Sequence, residues 1–376
     1  MKIVNQLIVF LMITCIVDSC TLSDEKKQEV IIKSIFTPDL VIVNENPTLY
    51  YELQVTNTSN EIIFLHKLEI IDTANSKFFI AFEGDDLVNR FHLKRANEET
   101  PACVVPPQTS AIIYLEIKLP NNKSSFTLTH NLDFTNQDGK NPKVAHLTIS
   151  TVSTTRLIIG APLSGGPWTT IYDPSWERGH RRVVYTIGGI DRIPGRFAID
   201  FIKMDGDGKN TIRNEDEVKN WIGYGADVLA VADGIVISTN DEFSESPTLS
   251  AHEDYLPEKA TGNYISLEIG TNTFAFYEHL KPRSIKVKPG QFVKKGDIIG
   301  SLGFTGNTTG PHLHFHIANM NSSLGAEGVA YEFDSFFILG SYPSLEKFGK
   351  VTWIPTLITN KKRIAEHPAP NSVIVF

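Results

Sequence analysis

The strongest constraint on the fold is an alternation of apolar and polar residues with a period of two, which runs through residues 28–153. Successive side chains of a β-strand point to opposite faces, so this period indicates strands with one buried face. Polar segments such as NTSNE, LPNNKSS and TNQDGKNP separate the strands as turns, and no strong helical segment interrupts them. The pattern predicts an antiparallel β-sandwich of the immunoglobulin-like kind. In the segment TLYYELQV, the face predicted to be buried consists of Leu49, Tyr51, Leu53 and Val55.

The second part of the chain is also dominated by strand patterns, and 376 residues are too many for one ordinary single-core domain. The segment STTRLIIGAPLSGGPW marks the boundary, and segments such as GADVLAVADGIVIS and NYISLEIG then indicate strands with tight glycine turns. One helix is predicted at residues 214–222, NEDEVKNWI. The expected architecture is a mostly β protein, with a sandwich domain at 28–153 and a second antiparallel β domain at 160–345. The apolar end of the tail, residues 346–376, predicts a strand that packs on the protein.

Residues 1–20 are predicted to be a signal for export. An apolar stretch from Leu7 to Val17 follows a basic residue and is too short to span a membrane. It ends at VDSC, which resembles a bacterial lipoprotein box with Cys20 as the lipidated residue, although Asp18 is atypical there; an ordinary secretory signal is the alternative. The expected location is the bacterial cell envelope, either periplasmic or anchored to the membrane through lipidated Cys20.

The cysteine count and the net charge exclude several classes of protein. The cysteines are Cys15, Cys20 and Cys103, and loss or lipidation of the first two leaves Cys103 alone. A disulfide framework and a thiolate zinc site are therefore both excluded. The net charge of −8, without any basic cluster, argues against nucleic acid as a partner. The sequence does not indicate an oligomeric state.

Three histidines stand at every second position of TGPHLHFHIA: His312, His314 and His316. In a strand they share one face at intervals of about 6.5 Å, while the apolar residues between them face a core. Histidine is the commonest metal ligand and acts as a general base near neutral pH. The pattern favours a metal or catalytic site over a merely polar sheet surface.

The sequence around these histidines resembles the signature of the M23 metallopeptidases, of the lysostaphin and LytM type. GNTTGPHLHFHI follows VKKGDIIGSLGFTG, RFAIDF stands at the position of the family's metal-binding His-x-x-x-Asp, and FYEHL resembles its Tyr-x-His-Leu. YGADVLAVADGIV resembles the strand pair that follows the first motif, and the resemblance extends from about Gly160 to Phe337. It implies a small antiparallel β domain with an open groove, zinc as cofactor, and cleavage of peptide bonds in bacterial peptidoglycan.

The resemblance assigns roles to individual residues. Asp200 and His314 match metal ligands, His312 matches the general base, and His279 matches the histidine that polarises the substrate or stabilises the developing oxyanion. A zinc ion with an open coordination position lowers the pKa of its bound water to about 7. One imidazole can then accept the proton while another stabilises the tetrahedral intermediate.

Arg196 departs from the family pattern. The first zinc ligand should stand four residues before Asp200, and Arg196 occupies that position. A guanidinium group stays protonated and has no lone pair to donate to a metal. GHRR before RFAID resembles a subgroup of the family that lacks the usual first histidine, so the substitution does not indicate random damage.

The favoured third ligand is His180, in ERGHRRVVYTIGGIDRIPGRFAIDF. A predicted hairpin with strands at 181–187 and 196–202 brings His180 toward Asp200, but a one-residue choice of register decides whether the two share a face. The alternatives are His316 and a site without a third protein ligand.

The predicted function is that of a zinc-dependent endopeptidase that cleaves peptidoglycan peptides. The alternative is a degenerate, non-catalytic M23 domain that binds peptidoglycan or activates another cell-wall hydrolase. Arg196 favours the alternative, whereas the retained His279, His312 and Asp200 favour the enzyme. A peptidase for some other substrate is a third reading.

Overall fold

The computed structural model describes residues 28–73, 77–94, 101–120, 125–152, 156–173, 176, 179–359 and 361–376. The predicted export signal, residues 1–20 with Cys20, lies outside the described residues. Within the described residues, no helix is both long enough and apolar enough to span a bilayer. The mostly β fold class predicted from the sequence is confirmed.

Residues 28–152 form two five-stranded antiparallel sheets that enclose one apolar core; we call this unit the sandwich. The first sheet has the order β1-β3-β8-β6 with β2 also paired to β3, and the second has the order β10-β9-β4-β5 with β7 also paired to β4. The elements are β1 (Val30–Ser34), β2 (Asp39–Val43), β3 (Asn46–Asn57), β4 (Ile63–Asp72), β5 (Lys77–Glu83), α1 (Asp85–Val88), β6 (Phe91–Leu93), β7 (Val104–Val105), β8 (Ser110–Lys118), β9 (Ser125–Asn136) and β10 (Lys143–Val152).

The core of the sandwich follows the predicted alternation. Leu49, Tyr51, Leu53 and Val55 of β3 are all at most 2% exposed and face the second sheet. Glu52, on the opposite face of β3, is also fully buried, because a second layer of protein covers that face. The prediction of which face of β3 lies in the sandwich core is therefore correct. The opposite face of this sheet is also buried, because other parts of the protein cover it.

Among the described residues after 152, the largest unit is one twelve-stranded, mostly antiparallel sheet, which we call the central sheet. Its order is β11-β23-β26-β12-β15-β22-β19-β18-β17-β20, with β24 and β25 also paired to β23, and two separate pairs are β13-β14 and β16-β21. The strands are β11 (Ile158–Ile159), β12 (Trp168–Ile171), β13 (Tyr185–Ile187), β14 (Ile190–Arg192), β15 (Ile199–Lys203), β16 (Asp227–Leu229), β17 (Gly234–Asn240), β18 (Tyr264–Gly270), β19 (Thr273–Glu278), β20 (Phe292–Val293), β21 (Ile298–Ser301), β22 (Leu313–Ala318), β23 (Glu332–Ser341), β24 (Ile354–Pro355), β25 (Lys362–Glu366) and β26 (Ser372–Val375). Short 3-10 helices occur at His180–Arg182, Pro194–Phe197, Val218–Asn220, Pro257–Lys259 and Leu345–Lys347.

The helix predicted at residues 214–222 is wrong, since only Val218–Asn220 is helical, as a single 3-10 turn. The Asn220 side chain donates a hydrogen bond to the carbonyl of Asn214, and the Trp221 indole donates one to the carbonyl of Glu215. Such side-chain bonds to nearby backbone compete with the hydrogen bonds of a regular helix.

The predicted hairpin with strands at 181–187 and 196–202 is also wrong in its extent. Only β13 and β14 form a hairpin, and β15 pairs instead with β12 and β22. Pro194 lacks the backbone N–H that a longer ladder would need, and it begins the 3-10 turn Pro194–Phe197.

The sandwich and the central sheet are packed against each other. Val41 and Val43 of β2 belong to the core of the central sheet, and the Tyr50 ring meets the Phe197 ring edge-on at 5.8 Å. The backbone N–H of Ile42 donates to Glu332 Oε1 at 2.8 Å. We keep 28–153, 160–345 and 346–376 as the proposed division of the chain. In the structure, β26 from the tail lies between β23 and β12.

Candidate metal centre and active site

Three adjacent strands of the central sheet place Asp200, His314 and Glu278 in one row. Asp200 of β15 pairs with His314 of β22, and His314 pairs on its other side with Glu278 of β19. Leu313 and Phe315, which alternate with the histidines, are fully buried in the core of the central sheet. The alternation read from the sequence therefore separates a core face from a face that carries the site.

Asp200 is the centre of the cluster. Its Oδ1 lies 2.7 Å from His314 Nδ1 and 3.3 Å from His312 Nε2, and its Oδ2 lies 3.0 Å from His180 Nε2. Burial opposes ionisation of this carboxyl, but the contacts with His180 and His312 outweigh it and hold the pKa of Asp200 well below its ordinary value. The carboxylate is therefore available as an anionic ligand.

His180 reaches Asp200 from a 3-10 turn rather than from the predicted strand. The turn His180–Arg182 packs directly on the turn Pro194–Phe197, because Gly195 has no side chain: a β-carbon there would lie 2.8 Å from His180 O. His180 has a φ of 34°, in the left-handed region that few residues other than glycine adopt. The side chain is thus placed by tertiary packing, which the pattern of the sequence did not reveal.

His312 has one ring nitrogen committed to the backbone. Its Nδ1 lies 2.9 Å from the carbonyl oxygen of Gly310 and 3.0 Å from Thr308 Oγ1. A carbonyl only accepts hydrogen bonds, so Nδ1 carries the proton of the neutral ring and Nε2 is left as an acceptor. Burial disfavours the protonated ring, but Asp200 and the Gly310 carbonyl outweigh burial and raise the pKa of His312.

His279 is fixed in the same manner on the other side of the cluster. Its Nδ1 lies 2.7 Å from the carbonyl oxygen of Thr305, and its ring centroid lies 4.7 Å from that of His312. The backbone of His279 has a φ of 62°, a strained conformation of the kind that clusters at functional sites. Burial lowers the pKa of His279 well below its ordinary value.

The donor atoms fit a zinc ion. Among the described residues, two overlapping groups bring one donor atom from each member within 4.8 Å of the others: His180, Asp200, His314 and His279, His312, His314. Two imidazoles and one carboxylate are a common set of protein ligands for catalytic zinc, and the first group supplies it. His316 belongs to neither group, and its ring stacks on Phe276 with centroids 5.0 Å apart.

Arg196 does not enter this site. Its side chain is 1% exposed and extends toward the sandwich, where its Nε donates to Glu52 Oε2 at 2.9 Å. Arg196 also contacts Glu327, and these carboxylates raise its pKa against the effect of burial. The position four residues before Asp200 therefore has a role in packing, and His180 occupies the space beside Asp200.

The histidine cluster lies at the floor of an open cavity of about 680 Å³. The histidine cluster on the floor was predicted from the sequence. Most residues that line the walls of the cavity were not, because they come from distant segments that carry no motif. Wall residues not assigned to the site from the sequence are Trp176, Tyr185, His252, Glu253, Asp254, Tyr255, Glu278 and Leu324. Of these, Glu278 was within reach of sequence reasoning, since it lies inside the FYEHL motif next to His279.

Glu278 is the least expected group of the cavity. It is 5% exposed, and its Oε1 has no hydrogen-bond partner among the described residues, the nearest basic group being His316 Nδ1 at 3.9 Å. Burial, reinforced by the charge of Asp200, raises the pKa of Glu278 well above its ordinary value. The cavity therefore carries a buried carboxyl group in addition to the site residues predicted from the sequence.

Comparison with known proteins finds a family match within the second half of the chain. Residues 219–325 match the profile of Peptidase family M23, a range that contains His279, His312, His314 and His316. The chain is 33% identical over 93 residues to the peptidoglycan DD-endopeptidase ShyA of Vibrio cholerae, covering 25% of this chain and 17% of that protein. It is 36% identical over 93 residues to a protein of Buchnera aphidicola named as an uncharacterized metalloprotease, covering 25% of this chain and 20% of that protein. The chain thus spans no more than a fifth of the length of these relatives.

Solved structures give weaker matches. The catalytic domain of lysostaphin from Staphylococcus simulans is 22% identical and aligns with 46% of this chain and 88% of its own, with a TM-score of 0.24. A zinc-containing peptidase from Vibrio cholerae is 16% identical and aligns with 77% of this chain and 85% of its own, with a TM-score of 0.27. The sequence match therefore assigns residues 219–325 of this chain to Peptidase family M23.

Proposed function

We propose that this protein is a zinc-dependent endopeptidase that cleaves peptide bonds of bacterial peptidoglycan. The observation that carries the proposal is the contact between His180 Nε2 and Asp200 Oδ2 at 3.0 Å, which supplies a third donor where Arg196 cannot. His180, Asp200 and His314 would hold the zinc. Bound there, zinc would supply a Lewis acid and lower the pKa of a bound water to about 7.

His312 is the proposed proton acceptor. Its Nδ1–H is directed to the Gly310 carbonyl, so the ring can accept a proton only at Nε2. The Asp200 carboxylate, 3.3 Å from Nε2, stabilises the positive charge that the ring then carries. The same nitrogen can return the proton to the leaving amine, as general acid–base catalysis requires.

His279 is the proposed stabiliser of negative charge on the substrate carbonyl. Its Nδ1–H is held by the Thr305 carbonyl, which leaves Nε2 as the nitrogen available to a substrate. Burial keeps the free ring neutral, so Nε2 can donate only if the ring binds a second proton as negative charge develops on the carbonyl oxygen, because that charge then offsets the effect of burial. The strained backbone at His279 fixes the ring before substrate binds.

Peptidoglycan peptides are the proposed substrate, since relatives such as ShyA are named as peptidoglycan DD-endopeptidases. The open cavity can admit an extended peptide across the row of Asp200, His314 and Glu278. This substrate implies that the protein acts in the cell envelope. Export by residues 1–20, with lipidation of Cys20, is the accompanying proposal.

The alternative of a non-catalytic domain was favoured by Arg196. The buried pairing of Arg196 with Glu52 gives that residue a structural reason, and His180 supplies the donor that Arg196 lacks. Both facts support the enzyme over a degenerate binding module.

The test is zinc analysis of the purified protein together with digestion of muropeptides. We expect stoichiometric zinc and new cleavage products, both lost in His314→Ala. His146→Ala is the matched control, because His146 is exposed on the surface of the sandwich, where its ring hydrogen-bonds to Asn131. Bound zinc without any product would favour the non-catalytic alternative, and absence of both zinc and product would contradict the proposal.

A further inference from the structure

The side chains of the short segment Gly179–Arg182 lie in two different environments. His180 lines the cavity, whereas Arg181 and Arg182 are buried against the sandwich, at 2% and 7% exposed. Arg181 donates from Nη2 to the carbonyls of Tyr51 and Leu115, both at 2.8 Å. The residue that follows the third proposed metal ligand is therefore bound to two strands of the sandwich.

A single carboxylate of the sandwich accepts hydrogen bonds from both segments that lead to the site. Glu52 Oε1 accepts a hydrogen bond from Arg181 Nε at 2.7 Å, and Glu52 Oε2 accepts one from Arg196 Nε at 2.9 Å. Arg181 adjoins His180, and Arg196 stands four residues before Asp200. Glu52 is fully buried, yet the two guanidinium groups outweigh burial and lower its pKa, so it remains charged.

The His180 turn lacks an adequate support of its own. It is a 3-10 helix of three residues without a side-chain cap, and its first residue has a strained backbone. Strained conformations persist only where the surrounding structure determines them more strongly than local preference does. The contacts of Arg181 with Glu52 and with the two sandwich carbonyls provide that determination.

We propose that Glu52 is a positioning residue of the metal centre: through Arg181 it holds the turn that presents His180, so that the sandwich completes the zinc site of the M23 domain. The inference rests on the proposed role of His180 as a metal ligand. It gives the sandwich a function in this protein: without Glu52, the turn that presents His180 loses the carboxylate that joins Arg181 to Arg196. It also gives Arg196 a role, as a partner of Glu52, at the position where the family resemblance leads us to expect a ligand.

The experiment measures the zinc affinity of the full chain by competition with a chelator, for the wild type and for Glu52→Gln. Loss of a group that orients a metal ligand typically lowers metal affinity about 10- to 100-fold, and we expect a loss in this range. If Glu52 acts through His180, the same change in a His180→Ala background should alter zinc affinity by less than about twofold.

Glu332→Gln is the matched control for a general loss of stability. Glu332 is 1% exposed and also joins the two parts of the chain, but its partners are Ile42 and Arg156, remote from His180 in sequence and contacts. We expect it to lower the melting temperature without lowering zinc affinity. Equal losses of affinity in Glu52→Gln and Glu332→Gln, or an additive loss in the His180→Ala background, would overturn the inference.

Arg181→Lys provides a second route if Glu52→Gln does not fold. Lysine keeps the charge but replaces the separate Nε and Nη2 donors of the guanidinium group with a single ammonium group, so we expect a loss of zinc affinity that is smaller than that of Glu52→Gln. Unchanged affinity in a folded Arg181→Lys protein would also overturn the inference. If the wild type binds no zinc, or His180→Ala binds as well as the wild type, the proposed function itself fails at the metal centre.

Discussion

Replacement of Arg196 by histidine, the residue that the family pattern expects, should destabilise this protein without improving its metal site. Arg196 is buried between two carboxylates that are themselves at most 1% exposed, Glu52 and Glu327. Removal of one partner from a buried ion pair leaves an uncompensated charge and costs about 3–5 kcal/mol. We therefore expect the free energy of unfolding to fall by about 3–5 kcal/mol in Arg196→His.

The assay is urea unfolding at pH 7, followed by zinc competition on the folded protein. Arg192→His is the matched control, since Arg192 is only half-buried and hydrogen-bonds to a neighbouring carbonyl. Its free energy of unfolding should change by no more than about 0.5 kcal/mol.

The pH dependence of the loss provides a further check, made with Arg196→Met because methionine does not titrate. The pKa of Glu52 is lowered in the folded wild type, so its contribution to stability is present above the unfolded pKa of about 4.3 and is lost as the pH falls through the folded pKa. The stability difference between wild type and Arg196→Met should therefore be largest near neutral pH and shrink below pH ~4.

One result would refute this reasoning: Arg196→His that unfolds like the wild type and binds zinc more tightly. That outcome would mean that the side chain at position 196 reaches the metal centre and that the ion pairs with the sandwich contribute little.

The remaining predictions concern the site and its support. His180→Ala should lower zinc affinity by at least the ~10–100-fold that is typical when a group that orients a metal ligand is lost. His316→Ala should leave zinc affinity nearly unchanged. If chelator competition shows the larger loss for His316→Ala, the roles of the two residues are exchanged. Gly195→Ala places a β-carbon 2.8 Å from His180 O, so it should lower the free energy of unfolding by about 1–3 kcal/mol and also lower zinc affinity. Unchanged stability together with unchanged zinc affinity would contradict the packing of the two turns. Phe315→Ala, at a fully buried core position, should lower the free energy of unfolding by about 3–5 kcal/mol in urea, and a loss under 1 kcal/mol would argue against the core face of β22.

The parts of the structure that could be predicted from the sequence are those governed by local periodicity. The alternation in TLYYELQV correctly separates Leu49 and Tyr51 from the outer face of β3. The alternation around His314 likewise separates the buried Phe315 from the side that carries the site. Side chains alternate between the two faces of every strand, so this pattern does not depend on the contacts that the strand makes with the rest of the chain.

The failures occur where tertiary contacts override local preference. The hairpin predicted to carry His180 ends early because Pro194 interrupts it and Arg181 turns to the sandwich. No periodicity can reveal that Glu52, 144 residues before Arg196, shares a buried ion pair with it. Arg196 appeared to be a defect of the site because its partner lies in a different part of the chain.

The most direct test of the central claim is an anomalous difference map at the zinc absorption edge from a crystal of the zinc-loaded protein. We expect one strong peak about 2.0–2.2 Å from His180 Nε2, His314 Nδ1 and a carboxylate oxygen of Asp200. A peak bound instead by His279, His312 and His314, or one that His180 does not touch, would contradict the claim.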